Sequence, residues 1–154
     1  MAVELPKGTR DIDPKKKILR DNITRAIERI FRRYGFLPLE TPSFERIDVL
    51  CSKFAGGEEI LKEIFTFQDQ GKRELGLRYD LTVPLARYIC MNPTLKMPFK
   101  RYAIGRVYRD GPIKRGRLRE FYQCDCDIVG SNAALADATC IMVASDVFKE
   151  LDLG

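Results

Sequence analysis

The sequence predicts an α+β domain in which an antiparallel sheet is flanked by helices. Two stretches rich in aromatic and branched residues, 99–108 and 119–129, are predicted to be strands joined by a basic loop. A second pair of strands, 64–67 and 75–79, is predicted on either side of a glycine-containing turn and forms a hairpin. Apolar residues recur at helical spacing near both ends of the chain, and this pattern predicts the flanking helices.

The first helix is predicted to begin after Asp13, an N-cap residue, with Pro14 at its first position. Gly35 is expected to end it at the C′ position. The opposite, basic face is expected to lie in solvent or on a partner. The strand that follows, 36–39, contains Pro38, which cannot donate a ladder hydrogen bond, so we expect it at a sheet edge or an interface. The apolar face of the helix consists of Ile18, Ile23, Ile27, Ile30, Phe31 and Tyr34.

The middle and end of the chain supply the remaining elements. Residues 44–54 are predicted to form a short helix, and an acidic helical turn is expected at 58–63 after a Gly-Gly break. A helix at about 81–91 follows the hairpin. The last helix is expected to cover the sheet with an apolar stripe. That stripe consists of Leu135, Ile141, Val143, Val147, Phe148 and Leu151.

Side-chain alternation gives the second long strand one polar and one apolar face. Gln123, Asp125 and Asp127 share the polar face, and cysteines share the other with Ile128. On the first long strand, small residues share a face with Arg109 and leave room beside a guanidinium. This convergence of acids, an amide and arginines predicts a ligand site. The alternative is a solvated sheet face, which many antiparallel sheets have.

Positive charge is concentrated in one stretch of the chain. Residues 99–119 contain eight Lys or Arg residues and one acid, Asp110, a net charge of +7 in a chain of +5. Arginine offers planar, bidentate donors to phosphate, so the cluster is suited to nucleotide phosphates or a nucleic-acid backbone. A solvated, charged loop tip is the alternative.

Composition excludes several classes of function. The length of 154 residues corresponds to one domain, and no apolar run approaches the length of a membrane span. Five cysteines, an odd number without a secretory signal, predict reduced thiols in the cytoplasm. The cysteines are expected to be small core residues, and their spacing lacks a zinc-ligand pattern. Without any histidine, the chain has no Ser-His or Cys-His nucleophile pair.

Five ordered blocks of sequence resemble histidyl-tRNA synthetases. The resemblance implies the class II synthetase fold, an antiparallel sheet flanked by helices, and a homodimer. The first class II motif would span 14–45, at the dimer interface, and the second would be the strand-loop-strand of 99–130. The blocks are Pro6-Lys-Gly-Thr-Arg-Asp11, Tyr34-Gly-Phe36 with Thr41-Pro42, Leu77-Arg-Tyr-Asp-Leu-Thr82, Val107-Tyr-Arg109 and Gly116-Arg-Leu-Arg-Glu-Phe-Tyr-Gln123.

The resemblance also implies roles for individual residues. Arg109 would be the catalytic arginine, which contacts both the ATP α-phosphate and the histidine carboxylate. Asp80 and Thr82 would hold the substrate amino group, and Gln123 and Asp127 would contact its amino and imidazole groups. Histidine binding is thereby assigned to Asp80, Leu81, Thr82, Arg109, Gln123 and Asp127. ATP binding is assigned to Arg109, Arg117, Arg119 and Phe121, with Phe121 stacked on adenine.

The implied activity is the activation of histidine with ATP to histidyl-adenylate and transfer to tRNA(His). Arg115 and Arg117 would hold the outer phosphates together with Mg²⁺, and no protein metal site is expected. We expect Arg109, Asp80 and Asp127 to surround a single pocket. Where many family members have Arg-x-Glu, this chain has Arg109-Asp110-Gly111, so the acidic contact to ATP is shifted or absent.

The chain is expected to be the N-terminal portion of a catalytic domain, residues 1–154. On this resemblance it would contain the first two class II motifs without the third motif or the anticodon-binding domain, so we expect weak or no activity from it alone. Two other classes stay open. One is a histidine-sensing regulator that resembles the ATP phosphoribosyltransferase regulatory subunit, and retention of Arg109, Gln123 and Asp127 argues against it. The other is a plain nucleic-acid-binding module that uses the basic loop.

Overall fold

A computed structural model describes residues 2–52 and 62–153 of the chain. Helices and strands both occur, and the predicted α+β class is confirmed. Within these residues the elements are, in chain order, α1 (Pro14–Arg33), β1 (Leu37–Pro38), β2 (Phe44–Arg46), α2 (Ile47–Cys51), β3 (Thr66–Gln68), β4 (Glu74–Leu77), α3 (Thr82–Met91), β5 (Phe99–Tyr108), β6 (Glu120–Val129) and α4 (Ala134–Glu150).

The chain divides into two compact units. The first unit consists of Met1–Arg10, Glu40–Pro93 and Gly105–Gln123. The second unit consists of Asp11–Leu39, Thr94–Ile104 and Cys124–Gly154. Strands β5 and β6 therefore each contribute residues to both units.

In the second unit, α1 begins and ends where the sequence predicts. The Asp13 side chain accepts a hydrogen bond from the Lys16 amide at 3.0 Å, and Pro14 occupies the first turn. Gly35, with φ +78°, follows the helix in the left-handed conformation that favours glycine. The predicted apolar face is partly wrong, because Ile18 is 62% exposed and Ile23 is 38% exposed. The buried side chains of α1 are Ala26, Ile27, Ile30 and Phe31.

The core of the second unit forms where α1 meets α4 and the sheet of order β1-β5-β6. Leu37 of β1 pairs with Arg101 of β5, and this pairing is parallel. The sequence predicts only antiparallel pairing, and the difference arises because a long crossover, not a hairpin, separates β1 from β5. The edge position predicted from Pro38 is confirmed. The core cluster consists of Ile27, Ile30, Phe31, Phe36, Tyr102 and Val143.

In the first unit, β2, β4 and β3 form an antiparallel sheet in that order. The β3–β4 hairpin confirms the prediction. The predicted helix at 44–54 is wrong at its start, because 44–46 pair with β4 as strand β2 and only Ile47–Cys51 are helical. Its last two residues, and 58–61 of the predicted acidic turn, lie outside the described residues. The core cluster consists of Leu50, Ile64, Tyr79 and Val83.

The predicted apolar stripe of α4 is buried only in part. Val143 is 1% exposed, whereas Leu135 is 74%, Ile141 is 71% and Phe148 is 53% exposed. Within the described part of the chain, these side chains have no element over them that buries them. No helix among the described residues is both long and apolar enough to span a membrane.

Candidate active site

Arg109 directly follows β5, and its guanidinium lies over the ring of Phe121. The guanidinium carbon is 5.1 Å from the ring centroid, a cation–π distance. Its Nε donates a hydrogen bond to the Tyr79 carbonyl at 3.1 Å. Its main-chain N–H donates to the Arg119 carbonyl at 2.9 Å, which ties the two sides of the basic loop together. Among the described residues none accepts a hydrogen bond from the Nη nitrogens, so these donors can face an anion.

Asp80 caps the first turn of α3. Its Oδ1 accepts hydrogen bonds from the amides of Thr82 at 3.2 Å and Val83 at 2.9 Å. A carboxylate at this position also interacts favourably with the positive end of the helix dipole. Asp80 is 8% exposed and Leu81 is 2% exposed, while Thr82 is exposed. The three predicted residues therefore form one rigid helix start.

Tyr79 anchors this segment in the core of the first unit. Its ring is buried, and its hydroxyl donates to the Leu50 carbonyl at 3.3 Å. Burial, and then the charge of Asp80, raises the pKa of the Tyr79 hydroxyl, which therefore stays protonated at neutral pH. The carbonyl bonded to Arg109 thus belongs to a residue that is fixed at both ends.

The basic loop is held by an acid that the sequence did not single out. Arg117 donates from Nη2 to Glu63 Oε1 at 2.5 Å, and the Asp110 amide donates to the Glu63 carbonyl at 2.8 Å. The Arg117 side chain is 46% exposed, whereas that of Glu63 is 25% exposed. Arg117 must exchange this carboxylate partner if it is to bind a phosphate.

Arg119 also makes an ion pair and a main-chain hydrogen bond. Its Nη2 lies 2.9 Å from Asp110 Oδ1, and its amide donates to the Gly8 carbonyl at 2.8 Å. Gly8 has φ +83°, and a Cβ there would lie 2.8 Å from Arg119 Cγ, so glycine permits this close approach. In this structure Arg119 connects the N-terminal segment to the loop.

Asp127 belongs to the second unit, where it contacts Arg101. Asp127 Oδ2 lies 2.8 Å from Arg101 Nη2, and the arginine side chain is fully buried. The predicted pattern on β6 is confirmed on its apolar side, where Cys126 and Ile128 pack against the core. Gln123 is half-buried in the first unit. The structure thus brings Arg109, Phe121 and the Asp80 segment together within one unit.

The cysteines of the second unit line an apolar cavity of about 200 Å³ with residues of α1 and α4. Burial, its largest cause, raises the pKa of the Cys126 thiol to about 11. It also raises the thiol pKa of Cys140. The prediction that all cysteines are core residues is wrong for Cys90 and Cys124, which are exposed.

Sequence reasoning missed three residues that hold this framework: Arg78, Arg101 and Glu63. Arg78 lies within one of the five sequence blocks, and Arg101 is one of the eight basic residues of 99–119, and the sequence predicts no separate role for either. A basic residue that alternates with apolar residues near the start of a strand is the signal that could have indicated a buried partner for Arg101. Glu63 gave no such signal, because its contact with Arg117 spans 54 residues.

The first-unit arrangement is suited to a ligand that has an anionic group and a flat ring. Arginine donors next to an aromatic face bind a phosphate or carboxylate while a planar group stacks on the ring. Among residues 2–52 and 62–153, no three potential ligand side chains form a group that could hold a metal ion.

Comparison with known proteins gives consistent matches. A family model described as histidyl-tRNA synthetase matches residues 8–154. The histidine–tRNA ligase 1 of Bacillus cereus is 56% identical over 153 residues, which cover 99% of this chain and 36% of the relative. The chain thus spans little more than a third of the length of this curated relative.

Two solved structures have the same fold over nearly the whole chain. A histidyl-tRNA synthetase from Nostoc sp. PCC 7120 is similar with a TM-score of 0.84 and 33% identity, over 99% of this chain and 35% of that one. A protein from Bacillus halodurans C, described as an ATP phosphoribosyltransferase regulatory subunit/histidyl-tRNA synthetase, has a TM-score of 0.85 and 26% identity, over 100% and 39% of the two chains.

Proposed function

Because the chain belongs to the histidyl-tRNA synthetase family, we propose that it acts in the ATP-dependent activation of histidine and its transfer to tRNA(His). The observation that carries this proposal is the position of Arg109. Its guanidinium contacts both the Phe121 ring and the carbonyl next to Asp80. Phe121 is the residue expected to contact adenine, Arg109 the α-phosphate, and Asp80 the substrate amino group.

Adenylate formation requires two anions to approach each other. The histidine carboxylate attacks the α-phosphorus of ATP, a new C–O–P linkage forms, and the bond to the β-phosphate oxygen breaks as pyrophosphate leaves. Negative charge grows at the α-phosphate, so fixed positive charge there stabilises the transition state. In our proposal the Nη donors of Arg109 bridge the carboxylate and the α-phosphate, and no protein side chain has to transfer a proton.

Recognition of the amino acid is assigned to a second set of residues. Asp80, with Thr82 and Gln123, would bind the ammonium group at the rigid start of α3, with Leu81 providing a buried support. Asp127 would accept a hydrogen bond from the imidazole N–H. An analogue without that donor would leave the Asp127 oxygen that faces it without this hydrogen bond, which is the basis of discrimination.

The phosphates and the base of ATP are assigned to the basic loop. Phe121 would stack on adenine, and Arg117 would leave Glu63 to bind the outer phosphates, with Arg119 supporting the loop. Arg115 is exposed and would assist Arg117. Mg²⁺ would be bound with those phosphates and would neutralise part of their charge.

We further propose that the protein works as a homodimer in the cytoplasm. Leu37 is 61% exposed and Phe44 is 51% exposed, and they flank the Pro-containing segment after α1 that corresponds to the expected dimer interface. Histidine, ATP and tRNA(His) would be its partners. We propose that the 154 residues contribute the first two class II motifs to the active site.

Isothermal titration of the purified chain tests this proposal. We expect both histidine and ATP to bind, with Arg109→Lys weakening ATP binding because lysine lacks the planar pair of donors. Arg73→Lys is the matched control, since Arg73 lies on the hairpin turn, is 77% exposed and pairs with Asp69. Unchanged ATP affinity in Arg109→Lys would contradict the proposal. Histidine-dependent ATP–pyrophosphate exchange then measures the activity, which we expect to be weak or absent in the chain alone.

The second candidate function is a histidine-sensing regulator. It is favoured by the similarity to the Bacillus halodurans C protein, whose description includes a regulatory subunit. A sensor has no need of an arginine that clamps a phosphate. Titration separates the two functions, because histidine binding without ATP binding would favour the regulator.

A further inference from the structure

Arg78 is a buried arginine whose guanidinium is bonded to main-chain carbonyls. The residue is 7% exposed. Its Nε donates to the Arg106 carbonyl at 2.8 Å, and its Nη1 donates to the carbonyls of Thr41 at 2.7 Å and Pro42 at 3.3 Å. Burial lowers the pKa of this guanidinium, partly offset by Tyr108, Glu40 and Glu45. The side chain therefore connects the segment before β2 to the end of β5.

The main chain of the same segment makes a second set of connections. The Arg78 amide donates to the Ser43 carbonyl at 3.0 Å, and the Arg78 carbonyl accepts from the Tyr108 amide at 3.0 Å. The next carbonyl, that of Tyr79, accepts from Arg109 Nε. The residue after that, Asp80, caps α3. Arg109 and Asp80, two of the residues proposed to contact the amino acid, thus lie within two positions of Arg78 or of a main-chain group that is hydrogen-bonded to it.

Gly105 provides the space that this guanidinium occupies. A Cβ built on Gly105 would lie 2.7 Å from Arg78 Nη2, which is closer than real Cβ contacts. Gly105 lies inside β5, and its backbone is not in the left-handed region, so space and not backbone freedom requires glycine here. Other residues at 105 would displace a side chain that is held by hydrogen bonds on three carbonyls.

We propose that Arg78 is a positioning residue that holds Arg109 and Asp80 in the geometry needed to bind histidine next to ATP. This inference rests on the function proposed above. When the guanidinium is lost, the Arg106 carbonyl loses its donor and the end of β5 can move relative to the 78–80 segment. Displacements of about 1 Å in such groups reduce reaction rates by roughly a hundredfold.

A merely structural role for Arg78 makes a different prediction. It would reduce stability without a selective effect on the Arg109 side chain. A positioning role predicts that the Arg109 Nε–H, protected by the Tyr79 carbonyl in the wild type, exchanges faster with solvent in the variants. It also predicts that histidine and ATP bind more weakly at a temperature where the variants are fully folded.

The experiment compares Arg78→Lys and Gly105→Ala in the 154-residue chain. Arg78→Lys keeps the positive charge but has fewer directed donors. Gly105→Ala displaces the guanidinium while the residue at position 78 stays arginine. Arg87→Lys is the matched control, because Arg87 is also in the first unit, has a side chain 23% exposed and is paired with Glu45. Nuclear magnetic resonance measures Arg109 Nε–H exchange, titration measures histidine and ATP affinity, and thermal unfolding measures the folded fraction.

We expect Arg78→Lys and Gly105→Ala each to accelerate Nε–H exchange and to weaken both ligands by roughly tenfold, with Arg87→Lys close to wild type. In an Arg78→Ala background, Gly105→Ala should have no further effect, because the clash is gone. Exchange rates in Gly105→Ala that equal those of Arg87→Lys would overturn the positioning role. If the wild type binds neither histidine nor ATP, the proposed function is wrong, while the Nε–H exchange still decides the role of Arg78.

Discussion

Arg101 and Asp127 form an ion pair of 2.8 Å in which the arginine side chain is fully buried and the aspartate side chain is 30% exposed. Arg101 lies on β5 and Asp127 lies on β6. A buried charge that loses its partner is strongly destabilising, even where the intact pair contributes little net stability. Asp127 therefore has a structural task in the second unit in addition to the imidazole contact proposed for it.

We expect Asp127→Ala to lower the free energy of unfolding by about 3 kcal/mol, because it removes a carboxylate that is paired with the buried Arg101 guanidinium. Chemical denaturation with circular dichroism measures this change. The double variant Arg101→Met, Asp127→Leu should recover much of the loss, since it removes both charges. Glu150→Gln is the control, because the Arg29–Glu150 pair of the same unit is exposed and should contribute less than about 1 kcal/mol. Equal losses in Asp127→Ala and Glu150→Gln would contradict the expectation.

We expect Glu63→Gln to strengthen ATP binding by about threefold, because it removes the carboxylate that competes with phosphate for Arg117. The main-chain bond from the Asp110 amide to the Glu63 carbonyl remains, so the loop keeps its anchor. Isothermal titration with ATP and Mg²⁺ measures the effect. Asp48→Asn is the control, since it removes the partner of exposed Arg46 elsewhere in the first unit. Weaker ATP binding in Glu63→Gln would show that the ion pair supports the site.

We expect the Cys126 thiol to react slowly with iodoacetamide at pH 8, because burial raises its pKa to about 11 and little thiolate is present. The exposed Cys90 should react first. Peptide mass spectrometry over a time course measures both rates. The pKa of Cys126 in the folded protein lies above the ordinary value of 9.0, so the folded state favours the protonated thiol. Its contribution to the free energy of unfolding is therefore present below pH 9 and is lost as the pH rises towards 11. Equal labelling of the two thiols in the folded protein would refute this expectation.

We expect the stabilising effect of Asp13 on α1 to disappear in acid. Its hydrogen bond from the Lys16 amide lowers its pKa below the ordinary 3.8, so the contribution is present above that pH and is lost as pH falls through the folded pKa. The thermal midpoints of wild type and Asp13→Ala should therefore differ at pH 7 and converge in strong acid. Asp13→Asn should show no such convergence, because its amide caps without titrating. A pH-independent difference between wild type and Asp13→Ala would argue against the cap.

The ends of α1 could be predicted because their signals are local. Asp13, Pro14 and Gly35 act on neighbouring backbone groups, so the sequence contains all that is needed. The start of the predicted helix at 44–54 failed for the opposite reason. Residues 44–46 form β2 because they pair with β4, about thirty residues later, and a tertiary pairing overrides the local pattern.

The candidate site shows the same division between local and distant causes. Alternation predicted which face of β6 packs on the core, but not that Asp127 would pair with Arg101. Small residues on β5 predicted room for a guanidinium beside Gly105, and that guanidinium is Arg78, not Arg109. The partners of Arg78 are carbonyls, which every residue has, so no side-chain pattern could indicate them.

The contact between Gly105 and Arg78 also limits how this protein can vary over evolution. A side chain can be gained at 105 only if the arginine at 78 is lost or moved, so neither position is free to change first without a penalty. Among related sequences the two positions should therefore change together, although Gly105 lies in β5 and Arg78 directly follows β4. A related protein that has lost the arginine at 78 must therefore hold the arginine at 109 in place through other contacts.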